Sequence, residues 1–218
     1  LKKELNDNAK ALLGGDLEID YNRTQGNLEL VEKVKDIATV SQTVEFSTMI
    51  STLDRPNNQS LFTRIKTIDE KYPLYGTVTY EPEGAFDRIH KEKNTILVNE
   101  NIYKSLKLKV DEKIKVQDQV FIVAGMVKTV PDVSGFVAFG DFALTGKQTL
   151  DLIKLNIGSF LNYEYKVRFN KGADTTSLRK KIRDIFKDDQ KVILRYPENS
   201  ASGLKRIINN FSQFLSLV

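Results

Sequence analysis

NYEYKVRFNKGADTTSLRKKIRDIFKDDQKVILRYPE, residues 162–198, decides the fold class. Its first part alternates Tyr163, Tyr165, Val167 and Phe169 with polar residues, the mark of a strand with one buried face. The next part sets Leu178, Ile182, Ile185 and Phe186 on one side of a helix. KVILRYPE returns as a strand and stops at Pro197. A matching unit stands near the other end. DLEIDYN (16–22) alternates Leu17, Ile19 and Tyr21 against acids, and NLELVEKVKDIA (27–38) gathers Leu30, Val31, Val34, Ile37 and Ala38 on a helical face. TVSQTVEFSTMI (39–50) is β-rich, DRPNNQ is a turn, and LFTRIKTID (61–69) is a further strand. Two such β-α-β units predict an open α+β layer of split ferredoxin type.

The middle differs. NTILVNENIYKSLKLKVDEKIKVQDQVFIVAGMVKTVP (94–131) reads as strand, short helix and hairpin. Asn99 is placed to cap the helix carrying Ile102, Tyr103 and Leu106, and Gln117 with Asp118 forms the hairpin turn. This predicts a smaller β-rich module, in a sheet of its own, between the halves of the first. VSGFVAFGDFALTGK (133–147) lacks periodicity and is expected to be a loop with local structure. Glycine beside Phe136, Val137, Phe139 and Phe142 gives two readings: an apolar surface that contacts a substrate or partner, or a plug for the smaller module's core.

Both ends read as amphipathic helices. LKKELNDNAKALLGG aligns Leu1, Leu5, Ala9 and Leu12, and Gly14 and Gly15 stop it. SASGLKRIINNFSQFLSLV aligns Leu204, Ile207, Ile208, Phe211, Leu215 and Val218, with Ser200 or Ser202 as cap. These helices either pack on the core or are paired stalks continuing into membrane helices. A first residue of Leu1 is expected of a piece of something longer or of a processed product.

Composition narrows the chemistry. The chain has 218 residues, 40% hydrophobic and 28% charged, and a net charge of +4 from interspersed charges. That pattern is a solvated surface rather than a nucleic-acid footprint, and the basic run Arg179, Lys180, Lys181 and Arg183 is the outer side of an amphipathic helix. No apolar run approaches the roughly 20 residues of a membrane-spanning helix. With no cysteine and one histidine, His90, thiolate and transition-metal sites are not expected, and His90 among charges reads as a surface residue. The stretch from Gly140 to Gln148 has the wrong spacing for a phosphate loop, and Gln148 stands where a hydroxyl must reach magnesium.

ALLGGDLEI, LFTRIKTIDEKYPLYGTV, LKLKVDEKIKVQDQVFIVAGMV and FLSLV, in this order, resemble the first extracytoplasmic domain of FtsX/MacB-superfamily ABC-transporter permeases, and within it the YbbP-like branch. Tyr72 to Gly76 is the most specific piece, and Val137 and Ala138 depart from the family's pattern. The resemblance implies a porter-like subdomain over 1–71 and 158–218, interrupted by a β-rich subdomain over 72–157. The terminal helices would be the stalks leaving the first membrane helix and entering the second. It implies a periplasmic segment of an inner-membrane protein, non-catalytic and without cofactor or metal. A separate cytoplasmic ATPase would drive extrusion or handover of lipid-like or hydrophobic compounds, with a periplasmic esterase or thioesterase as partner. A scaffold that activates a hydrolase without transport is the alternative. A stand-alone enzyme is disfavoured by the poverty of catalytic groups.

Overall fold

The computed structural model describes residues 2–132, 140–152, 161–200 and 202. The opening helix is α1 (Lys2–Leu13). Gly14 ends it at φ +87°, and the Gly14 and Gly15 amides both bond to the Lys10 carbonyl, at 2.8 and 3.1 Å. The glycines thus satisfy one free carbonyl of the last turn. The closing helix from 203 onward and both chain ends lie outside the described residues. Residues 197–200 are helical, so Pro197 opens a helix as well as stopping the strand. Ser202 is not its cap: its hydroxyl donates to the Glu198 carbonyl at 2.8 Å, one turn back.

The two predicted units form one layer. β1 (Leu17–Asn22), β9 (Asn162–Arg168) and β2 (Thr39–Thr52) lie side by side, with β10 (Val192–Arg195) at the edge. All four are antiparallel to their neighbours, in register Ile19 with Tyr165 and Val40 with Val167. α2 (Leu28–Lys35) and α5 (Thr175–Ile185) cover one face. Beneath them Leu17, Ile19, Tyr21, Val31, Val34, Val167, Ile182 and Phe186 form a common core. Asn27 and Asp174 cap the two helices by accepting from Leu30 N and Thr176 N.

The inserted region closes into a barrel with β2 and the strand that follows it. β2 pairs with β3 (Ser60–Ile68), β3 with β8 (Phe142–Gly146), and β8 with β5 (Thr95–Asn99). β5 then pairs with β7 (Gln119–Thr129), β7 with β6 (Lys113–Val116), and β6 returns to β2. A six-strand ring of this kind leaves no edge within it. Its interior holds Phe46, Ile50, Ile65, Ile96, Val98, Ile114, Val116, Phe121 and Val123, and α4 (Glu100–Ser105) adds Ile102. Asn99 caps α4 as expected, accepting from Ile102 N at 3.1 Å. Outside the ring, β4 (Thr79–Glu81) extends beyond β6 along β7, and α3 (Ala85–Lys91) covers the wall through Ala85 and Ile89.

Two expectations need correction. The β6–β7 hairpin does not sit in a separate sheet, because β2 is 14 residues long and serves both modules. One edge of β2 bonds to β9 over 39–45 and to β6 over 50–52, while the other bonds to β3. The second correction concerns FALTG, expected in a loop: it is the strand β8, between β3 and β5. Alternation is missing because both faces are covered. Ala143 points into the ring, and Leu144 joins the cluster under α3.

Candidate functional site: a buried ionic joint beneath the first helix

Period-2 alternation that turns Leu17, Ile19 and Tyr21 towards the helices turns Glu18 and Asp20 the other way. The same holds for Glu164 and Lys166 on β9, Ser41, Thr43 and Glu45 on β2, and Lys66 on β3. Register then sets Glu18 beside Lys166 beside Ser41, Asp20 beside Glu164 beside Thr43, and Glu45 beside Lys66. An open layer would leave this face in water. Here Lys166, Glu18, Lys66 and Asp132 are only 1–4% exposed.

Charges this deep are held by partners. Lys166 Nζ binds Glu18, lies 3.1 Å from Glu164 Oε2, and donates to the Leu13 carbonyl of α1 at 2.8 Å. Lys66 Nζ lies 2.6 Å from Asp132 and 3.2 Å from Glu45. The Tyr72 hydroxyl donates to the other oxygen of Asp132. Asp16 ties three segments together. It accepts from Phe169 N at 2.8 Å and from the Tyr75 hydroxyl at 2.6 Å, and pairs with Lys10 of α1 at 3.0 Å. Gly15 makes the turn possible, since a Cβ there would sit 2.8 Å from the Val167 and Leu17 carbonyl oxygens.

The electrostatics are uneven. Burial pushes the Glu18 carboxyl up to about 7, against the pull of Lys166. Burial also acts on Glu164, but Lys166 and Lys66 outweigh it and hold that carboxyl below its ordinary value. Both lysines are raised despite burial, because carboxylates surround them. The joint fastens the end of α1, the Tyr72–Gly76 phrase and the Asp132 turn onto one sheet face. Tyr75→Phe removes one hydroxyl from Asp16 and is expected to cost about 1–2 kcal/mol, read as a shift of the urea midpoint without change of slope.

Of the residues singled out in the sequence, Phe136, Val137 and Phe139 lie outside the described residues. Phe142 is half-buried at the start of β8, against the cluster that contains Ile68 and Ile89. His90 stacks edge-on to Phe86 at 4.9 Å, and burial lowers its pKa. Among the described residues no group of three or more His, Asp or Glu could hold a metal ion. The ionic joint was not singled out, although Tyr72 to Gly76, which clamps it, was.

The architecture is one that solved extracytoplasmic domains of transporters share. The fold matches the periplasmic region of MacB from Actinobacillus actinomycetemcomitans with a TM-score of 0.59 and 14% identity, over 95% of this chain and 98% of that one. The extracellular domain of the ABC-type transporter YknZ from Gram-positive bacteria matches at 0.53 and 10%, over 82% of this chain and 98% of that one. A domain of a permease protein from Porphyromonas gingivalis also matches at 0.53, with 14% identity, over 84% of this chain and 89% of that one. In sequence the chain is 27% identical over 139 residues to the uncharacterized ABC transporter permease YbbP of Escherichia coli K12. The match covers 64% of this chain, which spans 16% of that relative's length. No family model matches. The resemblance read from the sequence is thus supported from two sides: the fold is shared with the periplasmic region of MacB and the extracellular domain of YknZ, and the sequence is similar to a part of the YbbP permease.

Proposed function

We propose that the chain is the non-catalytic coupling domain of an ABC permease of the inner membrane. It relays motion driven by a cytoplasmic ATPase to the extrusion, or the handover to a periplasmic esterase or thioesterase, of lipid-like compounds. α1 and the closing helix act as the stalks, and the excursion of the chain between 72 and 157 completes the barrel begun by β2 and β3. The observation that carries the reading is the fastening of α1. Its final carbonyl is gripped by Lys166, and its Lys10 by Asp16, so a displacement of the helix is passed to the sheet rather than absorbed in a loose linker. Contact with substrate or partner is assigned to Phe136, Val137 and Phe139, with Phe142 at the rim of that run.

The test uses the full-length permease with its ATPase subunit in nanodiscs. Turnover should rise with lipid-like compounds or with the hydrolase, and Asp16→Ala should reduce that response roughly 5-fold or more. Phe139→Ser should weaken it while leaving the melting temperature in place. A response to the hydrolase alone marks the scaffold alternative. A permease indifferent to both ligands and hydrolase refutes the coupling reading.

A further inference from the structure

The charges in the joint do not balance. Glu18, Asp20, Glu45, Glu164 and Asp132 supply five carboxylates. Lys66 and Lys166 supply two cations at the centre, and Arg64 and Arg195 two more at the rim, 3.7 Å from Glu45 and 3.8 Å from Glu18. Five against four leaves one negative charge in a cluster whose centre, at Glu18 and Lys166, is buried. The crowding is sharpest between β1 and β9, where Asp20 and Glu164 stand directly opposite each other beside the Glu18–Lys166 pair. Lys166 must serve Glu18, Glu164 and the Leu13 carbonyl at once.

We propose that the joint is a proton-binding site: one proton resides on Glu18, and its presence decides how firmly Lys166 holds the end of α1. With Glu18 neutral, the ammonium divides between Glu164 and the Leu13 carbonyl. With Glu18 ionised, two buried carboxylates draw the ammonium towards themselves, and its bond to the neutral Leu13 carbonyl lengthens and weakens. The groups facing Glu18 act in one direction or the other. Lys166, and Arg195 at 3.8 Å, favour its ionised form, while Glu164 and Asp20 oppose it. Ser41 and Thr43 of β2 turn their hydroxyls to Asp69 and Glu164 instead. Tyr72 and Lys66 turn to Asp132. The rise of the Glu18 carboxyl to about 7 agrees with this count and places the switch within the range an extracytoplasmic domain meets. The inference goes beyond the coupling reading, because it concerns the chain itself and holds whatever the permease moves.

The experiment titrates the 218-residue chain, labelled with 13C at the glutamate side-chain carboxyls, and follows their chemical shifts by NMR from pH 4 to 9. One carboxyl should titrate near 7 and vanish in Glu18→Gln. Amide protection in Leu12–Gly15, corrected for intrinsic exchange, should fall between pH 6 and pH 8 and stay level in that variant. If Glu18→Gln does not fold, Asp20→Asn serves instead: it removes one opposing charge and should move the same titration to lower pH. All glutamates titrating below pH 5.5, or a titration near 7 that neither variant alters, overturns the proposal. A Glu18 titration near 7 with protection of α1 unchanged overturns its link to the helix.

Discussion

Replacing Lys166 by methionine is expected to destabilise the chain by about 3–5 kcal/mol at pH 8. Methionine matches the lysine stem closely in volume, so little of this comes from a cavity. The loss comes from Glu18 and Glu164, left without their shared ammonium, and from the Leu13 carbonyl, left without a donor. The pH dependence has a definite sign. Without Lys166, burial raises both carboxyls above their unfolded values. A raised folded pKa gives stability that is present at low pH and lost as pH rises through it. The variant's deficit should therefore shrink as pH falls from 8 to 5. The parent chain shows a weaker form of this trend through Glu18 alone, losing stability as pH rises from about 4.5 to about 7. Glu164 acts oppositely: its lowered pKa gives stability above its unfolded value, lost as pH falls through the folded one. Urea titrations at pH 5, 6.5 and 8 measure the Glu18 trend in the parent and the shrinking deficit of the variant. A deficit below about 1 kcal/mol at pH 8 would mean that water already reaches these groups.

The same joint shows where sequence reasoning stopped. Leu17, Ile19 and Tyr21 gave away β1, and the glycines gave away the end of α1, because both signals are local. The alternation also displayed Glu18 and Asp20, but a polar strand face ordinarily meets water, and nothing local says otherwise. Burial of that face depends on Asp132, Tyr72 and the end of α1 arriving from distant parts of the chain. The signal available was the opposition of acids on one strand to lysine on another, in a register that becomes visible only after β1 and β9 are paired. β8 was illegible for a related reason. FALTG is short, glycine-ended and covered on both faces, so it shows neither alternation nor a long apolar run. The closed ring followed from neither. It requires β8 between β3 and β5, and β6 returning to β2, and both are long-range pairings.

That ring carries the other large effect. Phe121 is fully buried inside the barrel, and Phe121→Ala should cost about 3–5 kcal/mol through lost burial and the cavity left behind. The more informative outcome is where the damage spreads. If the barrel and the helix-covered layer were independent, weakening the first would leave β1, β9 and β10 protected. They are not independent in bonding, since β2 contributes Ile50 to the barrel interior and Val40 to the core under α2 and α5. Melting the barrel frees one end of a strand whose other end is the neighbour of β9. The buried joint adds a second tie, because Lys66 of β3 and Lys166 of β9 both act electrostatically on Glu164. Both modules should therefore unfold in one transition in the variant as in the parent. Hydrogen exchange in rising urea, followed by mass spectrometry on peptides from β6–β7 and from β1 and β9, reads this directly. Coincident curves shifted to lower urea are expected. Barrel peptides that open while β1 and β9 stay closed would show that β2 bends freely between the modules, and a rigid relay from α1 to the barrel would then have no mechanical path.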